Sequence, residues 1–141
     1  METSKTGEEL DRYILMGFGD FKEKRLFVKS FAKWLSHLHQ TNLYHKDMKT
    51  SNILVSEEEG NWDFFLLDLE DIQLNGKVDE KRVLRNFIQL HTSTPKVITG
   101  TDRIRFLKEY ICLHPIIKDR KVFIRQLIEE SRERGSFYLS S

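Results

Sequence analysis

Asp47, Lys49, Asn52 and Asp68 are the residues whose types and spacing could do chemistry. The first three stand in His45-Lys46-Asp47-Met48-Lys49-Thr50-Ser51-Asn52, an H-x-D-x-K-x-x-N pattern, and Asp68 follows the apolar run Phe64-Phe65-Leu66-Leu67. Phosphoryl transfer to a hydroxyl needs a carboxylate to orient the acceptor and take its proton, and Asp47 is placed for that. Charge develops on the transferred group, and a cation two residues on, Lys49, can offset it. Magnesium takes hard oxygen ligands, which the Asn52 amide and the Asp68 carboxylate offer. Taken singly, an Asp or Asn in a polar loop is more often a turn-capping residue. The order of the whole set is what favours chemistry.

Those side chains need elements to position them. Phe27, Phe31, Trp34, Leu35 and Leu38 recur at the helical period, so a helix from about Lys22 to His39 is expected to lead into the loop. A shorter helix is expected from about Gly7 to Leu15. Ile53-Leu54-Val55 and Phe64-Phe65-Leu66-Leu67 read as two short strands joined by Glu57-Glu58-Glu59-Gly60-Asn61, a hairpin that can return Asp68 beside Asn52. After Lys77 three helices follow. One uses Val83, Leu84, Phe87, Ile88 and Leu90; one is capped by Thr101-Asp102 and bears Ile104, Leu107 and Ile111 alongside Phe106 and Tyr110; the last runs from about Asp119 to Arg134, with Gly135 as its stop.

The stretch from Leu38-His39 through His45 to Asn52 resembles the catalytic loop of the protein-kinase superfamily and the end of the helix before it. Leu67-Asp68-Leu69-Glu70 occupies the place of that superfamily's metal-binding D-F-G. The resemblance implies Asp47 as catalytic base, Lys49 as a catalytic phosphate contact, and Asn52 and Asp68 as Mg2+ ligands. Lys49, Asn52 and Asp68 would together hold ATP, and His45 would pack and prop the loop. Asp68-Leu69-Glu70 is not D-F-G and no A-P-E follows, which speaks against a regulated activation segment and against a protein Ser/Thr kinase.

With Asp68-Leu69-Glu70-Asp71 and the later Thr101-Asp102-Arg103-Ile104-Arg105-Phe106-Leu107-Lys108-Glu109-Tyr110, the chain is similar to the bacterial lipopolysaccharide kinase family from about Leu26 to Arg134. That likeness implies ATP-dependent phosphorylation of a Kdo or heptose hydroxyl of the lipopolysaccharide inner core. The fold expected is α+β and mainly helical: a kinase-like C-terminal lobe over residues 1–141, with a short hairpin carrying the metal site. Gly17-Phe18-Gly19 is only a fragment of a glycine-rich loop, and no V-A-I-K-like strand precedes Asp47. The expectation is therefore a domain without its N-terminal lobe, a fragment or a half-kinase borrowing a partner, weakly active alone. The alternative is a non-catalytic binding module of kinase C-lobe shape.

Composition sets the remaining bounds. Hydrophobic residues make up 39% and charged residues 32% of the 141, as in an ordinary globular domain. No apolar run reaches the roughly 18 residues that span a bilayer, and no signal-like apolar stretch follows Met1. A cytoplasmic setting is expected, with the inner face of the cytoplasmic membrane as the place to meet a lipid-borne acceptor. No nucleic-acid partner is expected. The net charge is +1, yet residues 81–141 carry 13 basic against 6 acidic side chains. Arg103, Arg105, Lys108, Lys118, Arg120 and Lys121 could form a basic surface towards anionic lipid; solvated helix faces are the plainer reading. Cys112, the single cysteine, lies in an apolar run and is expected to be buried and inert. His37 and His39, two apart on a helix, do not share a face and suit core or capping roles better than metal. Glu70 and Asp71 could assist a metal or simply be solvated.

Overall fold

The computed structural model describes residues 7–133. It opens with a two-residue strand, β1 (Glu8–Glu9), and helix α1 (Leu10–Met16), where the sequence predicts helix from Gly7. Gly17, at φ 89°, ends α1, and the Asp20 side chain caps the next helix, α2 (Phe21–Gln40), by accepting from the Glu23 amide. Gly17-Phe18-Gly19 is thus a connection between two helices and not a turn between strands. Beyond α2 lie β2 (Tyr44–His45), a 3-10 turn Thr50–Asn52, β3 (Ile53–Glu58) and β4 (Asn61–Leu66). A second 3-10 turn Leu69–Asp71, β5 (Ile72–Gln73), α3 (Glu80–Ser93), α4 (Gly100–Leu113) and α5 (Arg120–Glu133) complete the order.

The expected hairpin forms as β3 and β4, with Glu58 opposite Asn61. Its two-residue loop, Glu59-Gly60, has positive φ at both positions, the conformation whose twist matches that of paired strands. β1 adds an antiparallel edge to β3, which is why Glu8 and Glu9 leave the expected helix. A separate antiparallel pair, β2 with β5, sets His45 opposite Ile72.

The α2 stripe is core: Phe27, Phe31 and Leu35 are buried, and Trp34 and Leu38 pack partly against them. Phe31 stacks on Phe106 of α4 and touches Phe64 of β4, so one ring joins three elements. All five expected apolar residues of α3 are buried. In α4 the inner face is centred on Leu107 and Tyr110, while Ile104 is exposed, because the helix is rotated to bring Tyr110 inward. Its cap is Thr99, two residues earlier than expected. Thr99 Oγ1 accepts from the Asp102 amide at 3.2 Å while Asp102 Oδ2 accepts from the Thr99 amide at 3.0 Å. Burial alone would raise the Asp102 pKa, but Lys24 at 2.9 Å and the bonds from Thr99 hold it below the usual carboxylate range.

Two expectations fail here. Cys112 is exposed, since α4 turns that position outward. Arg103 is spent inside the fold, donating to the carbonyls of His91, Thr94, Pro95 and Ile98 past the end of α3. The stop at Gly135 lies outside the described residues.

His39 is 1% exposed and bridges three elements: Nε2 donates to Asn86 Oδ1 at 2.9 Å, and Tyr110 Oη donates to Nδ1 at 2.7 Å. Burial lowers its pKa to about 4, outweighing the Asn86 bond that raises it. His91 is likewise lowered to about 4, by burial and by Arg103. Both stay neutral in the fold where the unfolded chain would take up protons. Their contribution is full above pH ~6.5, erodes as pH falls, and is exhausted near pH 4. Urea unfolding should show a loss of about 1.5 kcal/mol from His39 alone between pH 6.5 and 5; equal stability at those two values would refute it.

Candidate active site

The chain between β2 and β3 has no strand beside it along its length, so side chains must satisfy its backbone. Helix α3 supplies them. Asn86 Nδ2 donates to the His45 carbonyl at 2.9 Å, Gln89 Nε2 to the Lys46 carbonyl at 2.7 Å, and the Met48 amide to Gln89 Oε1 at 2.9 Å. The Thr50 amide donates to Ser93 Oγ at 2.9 Å, and Thr50 Oγ1 to the Ser93 carbonyl at 2.8 Å. Asn86, Gln89 and Ser93 fall at i, i+3 and i+7, one face of the helix. The sequence reading passed over them; three polar residues so spaced beside the apolar stripe of α3 were the available signal.

On this cradle the sequence-predicted residues gather. Asn52 Nδ2 donates to the Asp47 carbonyl at 2.8 Å and to Asp47 Oδ2 at 3.3 Å. Lys49 Nζ lies 3.7 Å from the same Oδ2, with both side chains roughly half exposed (50% and 42%). A pair so open to water contributes little to stability. Its consequence is placement, a cation and a carboxylate on the same open rim.

Asp68 comes in by the hairpin. The Leu67 amide donates to the Asn52 carbonyl at 2.8 Å, so Asp68 directly follows the residue tied to Asn52. Asp68 is exposed and left-handed, at φ 57° and ψ 62°, a conformation Asp adopts more readily than bulkier residues. His45, fully buried, fastens loop to strand: the Asp47 amide donates to Nδ1 at 3.0 Å, and Nε2 donates to the Leu67 carbonyl at 2.8 Å. The imidazole thus carries its proton on Nε2 and spans from the residue it precedes by two to the one just before Asp68. Asp71 accepts the Lys46 amide at 2.9 Å through its backbone carbonyl.

The donor types here are ones a hard divalent cation takes. Asn52 spends its NH2 group on Asp47, so its Oδ1 is the atom left for a hard cation, and Asp68 adds an exposed carboxylate. Among the described residues no three His, Cys, Asp or Glu side chains gather as a metal site of their own. Phosphate oxygens would have to supply further ligands, as magnesium with nucleotides commonly requires. An apolar cavity of about 530 Å3 lies apart from the loop, among α1 to α5, with Phe27, Phe31, Phe87, Leu107 and Leu127 in its walls.

A model of the "Lipopolysaccharide kinase (Kdo/WaaP) family" matches residues 13–110. Ribosomal protein S6 kinase alpha-1 of Mus musculus is 33% identical over 60 residues, 43% of this chain and 8% of that protein. Protein kinase kin1 of Schizosaccharomyces pombe is 41% identical over 51 residues, 36% of this chain and 6% of that protein. The solved structure "WaaP in complex with acyl carrier protein" superposes with a TM-score of 0.74 at 17% identity, covering 91% of this chain and 57% of that one. At that identity the likeness shows the fold. The chain spans under a tenth of the curated kinases and little more than half of the structural neighbour.

Replacing His45 by Phe keeps a ring in place and removes both of its bonds, leaving the Asp47 amide and the Leu67 carbonyl without partners. His45→Phe should cost about 2–4 kcal/mol in urea unfolding and speed exchange of the Asp47 amide selectively. Unchanged exchange at Asp47 would show that His45 does not hold the loop.

Proposed function

Because the chain belongs to the lipopolysaccharide kinase (Kdo/WaaP) family, we propose that it carries the catalytic loop for ATP-dependent phosphorylation of a sugar hydroxyl, Kdo or heptose, in the lipopolysaccharide inner core. The observation that supports this most is the meeting of Asp47, Lys49 and Asn52 on one rim, tied through the hairpin to Asp68.

Asp47 Oδ2 orients the acceptor hydroxyl and takes its proton as the new P–O bond forms. Lys49 leaves its loose pairing with Asp47 to meet the transferred phosphoryl group, where charge accumulates. Mg2+, when bound, would neutralise charge on the nucleotide phosphates. Asn52 Oδ1 and the Asp68 carboxylate are the protein groups that would hold it. Glu70 and Asp71 sit in the adjoining 3-10 turn, where their part is solvation and shaping of the turn. No described helix is long and apolar enough to cross a membrane. Exposed Arg105, Lys108, Lys118, Arg120 and Lys121 would favour the anionic surface on which a lipid-borne acceptor is presented.

A second reading, a kinase-shaped binding module, is favoured by the apolar cavity, which phosphoryl transfer does not use. The structural neighbour is a complex with acyl carrier protein; an acyl chain suits walls of this kind. Palmitate should raise the melting temperature of the chain, and Leu127→Trp, which fills the cavity, should abolish the rise. The same rise in both proteins would remove this support.

Turnover separates the readings. ATP consumption on Kdo- or heptose-bearing lipid should be measured for this chain beside Asp47→Asn. Loss of the proton acceptor should lower turnover roughly 10²–10⁴-fold. Equal rates with and without Asp47→Asn would overturn the kinase reading.

A further inference from the structure

Successive residues of a strand point to opposite faces. His45 points towards Leu67 and the Asp68 side, whereas Tyr44 and Lys46 line a hollow of about 370 Å3 on the other face of β2. Helix α3 closes that hollow with Lys81, Arg82 and Arg85, and Gln73 of β5 forms its edge. Four cations meet there against one carboxylate, Asp79, which caps α3 by accepting the Arg82 amide at 3.0 Å. Among the described residues none of the four cations is ion-paired.

The arginines are arranged and not merely present. Arg82 lies over the Tyr44 ring at 5.4 Å and donates from Nη1 to the Lys77 carbonyl at 3.1 Å, which fixes its fork over the hollow. Arg82 and Arg85 both lie near enough to the Tyr44 phenol for their charges to favour its ionised form, against the burial that raises its pKa. The placement also runs against helix stability. Lys81, Arg82 and Arg85 occupy the first turns of α3, where the helix dipole disfavours cations, and like charges at i, i+3 and i+4 repel. Glu80 and Asp79 offset only part of this. An anion bound there would relieve both the dipole and the mutual repulsion.

We propose that Lys46, Lys81, Arg82 and Arg85 form a subsite for a small oxyanion, a carboxylate or phosphate group carried by the anionic acceptor. Guanidinium forks match both groups in geometry. The subsite lies across β2 from the Asp68 side, so it is separate from the nucleotide phosphates, and Lys46 immediately precedes Asp47. The assignment of the oxyanion to the acceptor rests on the kinase reading; the anion site itself does not.

The test is a titration of the isotopically labelled 141-residue chain at constant ionic strength, followed by NMR. Free Kdo and inorganic phosphate serve as the charged probes and neutral heptose as the control. Saturable shifts at Tyr44, Lys46 and the Arg82 and Arg85 side chains are expected with at least one charged probe and not with heptose. Response to Kdo alone assigns a carboxylate, and response to phosphate alone assigns a phosphate ester. The double variant Lys81→Gln/Arg85→Gln, at two exposed positions that hold no backbone group, should weaken binding roughly tenfold or more. Mg-ATP should leave the shifts in place. Absence of saturation with both charged probes, displacement by Mg-ATP, or wild-type affinity in the double variant would overturn the proposal. No turnover is measured, so a chain that binds Kdo here yet proves inactive would defeat the kinase reading and leave the anion site standing.

Discussion

The loop from His45 to Asn52 is irregular backbone, and everything else in the candidate site depends on how its polar groups are satisfied. A buried amide or carbonyl without a partner costs about 1–3 kcal/mol, so a loop running from His45 to Asn52 could not hold one shape unaided. Helix α3 takes the role that a neighbouring strand would play in a sheet. Asn86 reaches His45, Gln89 reaches both Lys46 and Met48, and Ser93 reaches Thr50. The amide of Asn86 is itself oriented by His39, and His39 by Tyr110 of α4. The position of Asp47 is therefore set by residues far along the chain, through a connected polar chain in which each donor has its acceptor.

His45 supplies the second restraint, and it acts in a different direction. The α3 side chains hold the loop from beneath, whereas His45 links it laterally to the end of β4. The Leu67 amide to the Asn52 carbonyl is a further tie at the same point. Together they fix Asp68 relative to Asn52 although Asp68 itself is exposed and makes no side-chain cap. Asp68 thus presents an exposed carboxylate on backbone fastened at the residue before it.

Much of this was legible in the sequence, and the reason is local. Asp47, Lys49 and Asn52 fall within one loop, so their spacing already encodes their proximity, and the hairpin that returns Asp68 needs only two short apolar runs and a glycine turn. The α2 and α3 stripes follow from helical period alone. What could not be read depends on partners distant in sequence. β1 exists because β3 offers an unpaired edge; Cys112 and Ile104 face outward because Tyr110 is drawn inward to His39; Arg103 reads as a surface cation until the carbonyls past α3 are seen around it. Thr99 outcompetes Thr101 as the cap because Asp102 then stands at the third helical position and can return the bond.

Helix α3 ends up with three working faces. Val83, Phe87 and Leu90 anchor it in the core, Asn86, Gln89 and Ser93 carry the loop, and Lys81, Arg82 and Arg85 crowd its first turns with positive charge. Close-packed interiors transmit displacement instead of absorbing it, and the loop bonds leave no slack between Gln89 and the backbone on either side of Asp47. An anion drawn to Arg82 and Arg85 relieves their mutual repulsion at the end of the helix nearest β2. That same end bears the Asp79 cap and lies within one to two turns of Asn86 and Gln89. Charge on the outer face of α3 and the order of the loop on its inner face are thus properties of one element, which ties the basic hollow mechanically to the backbone on either side of Asp47.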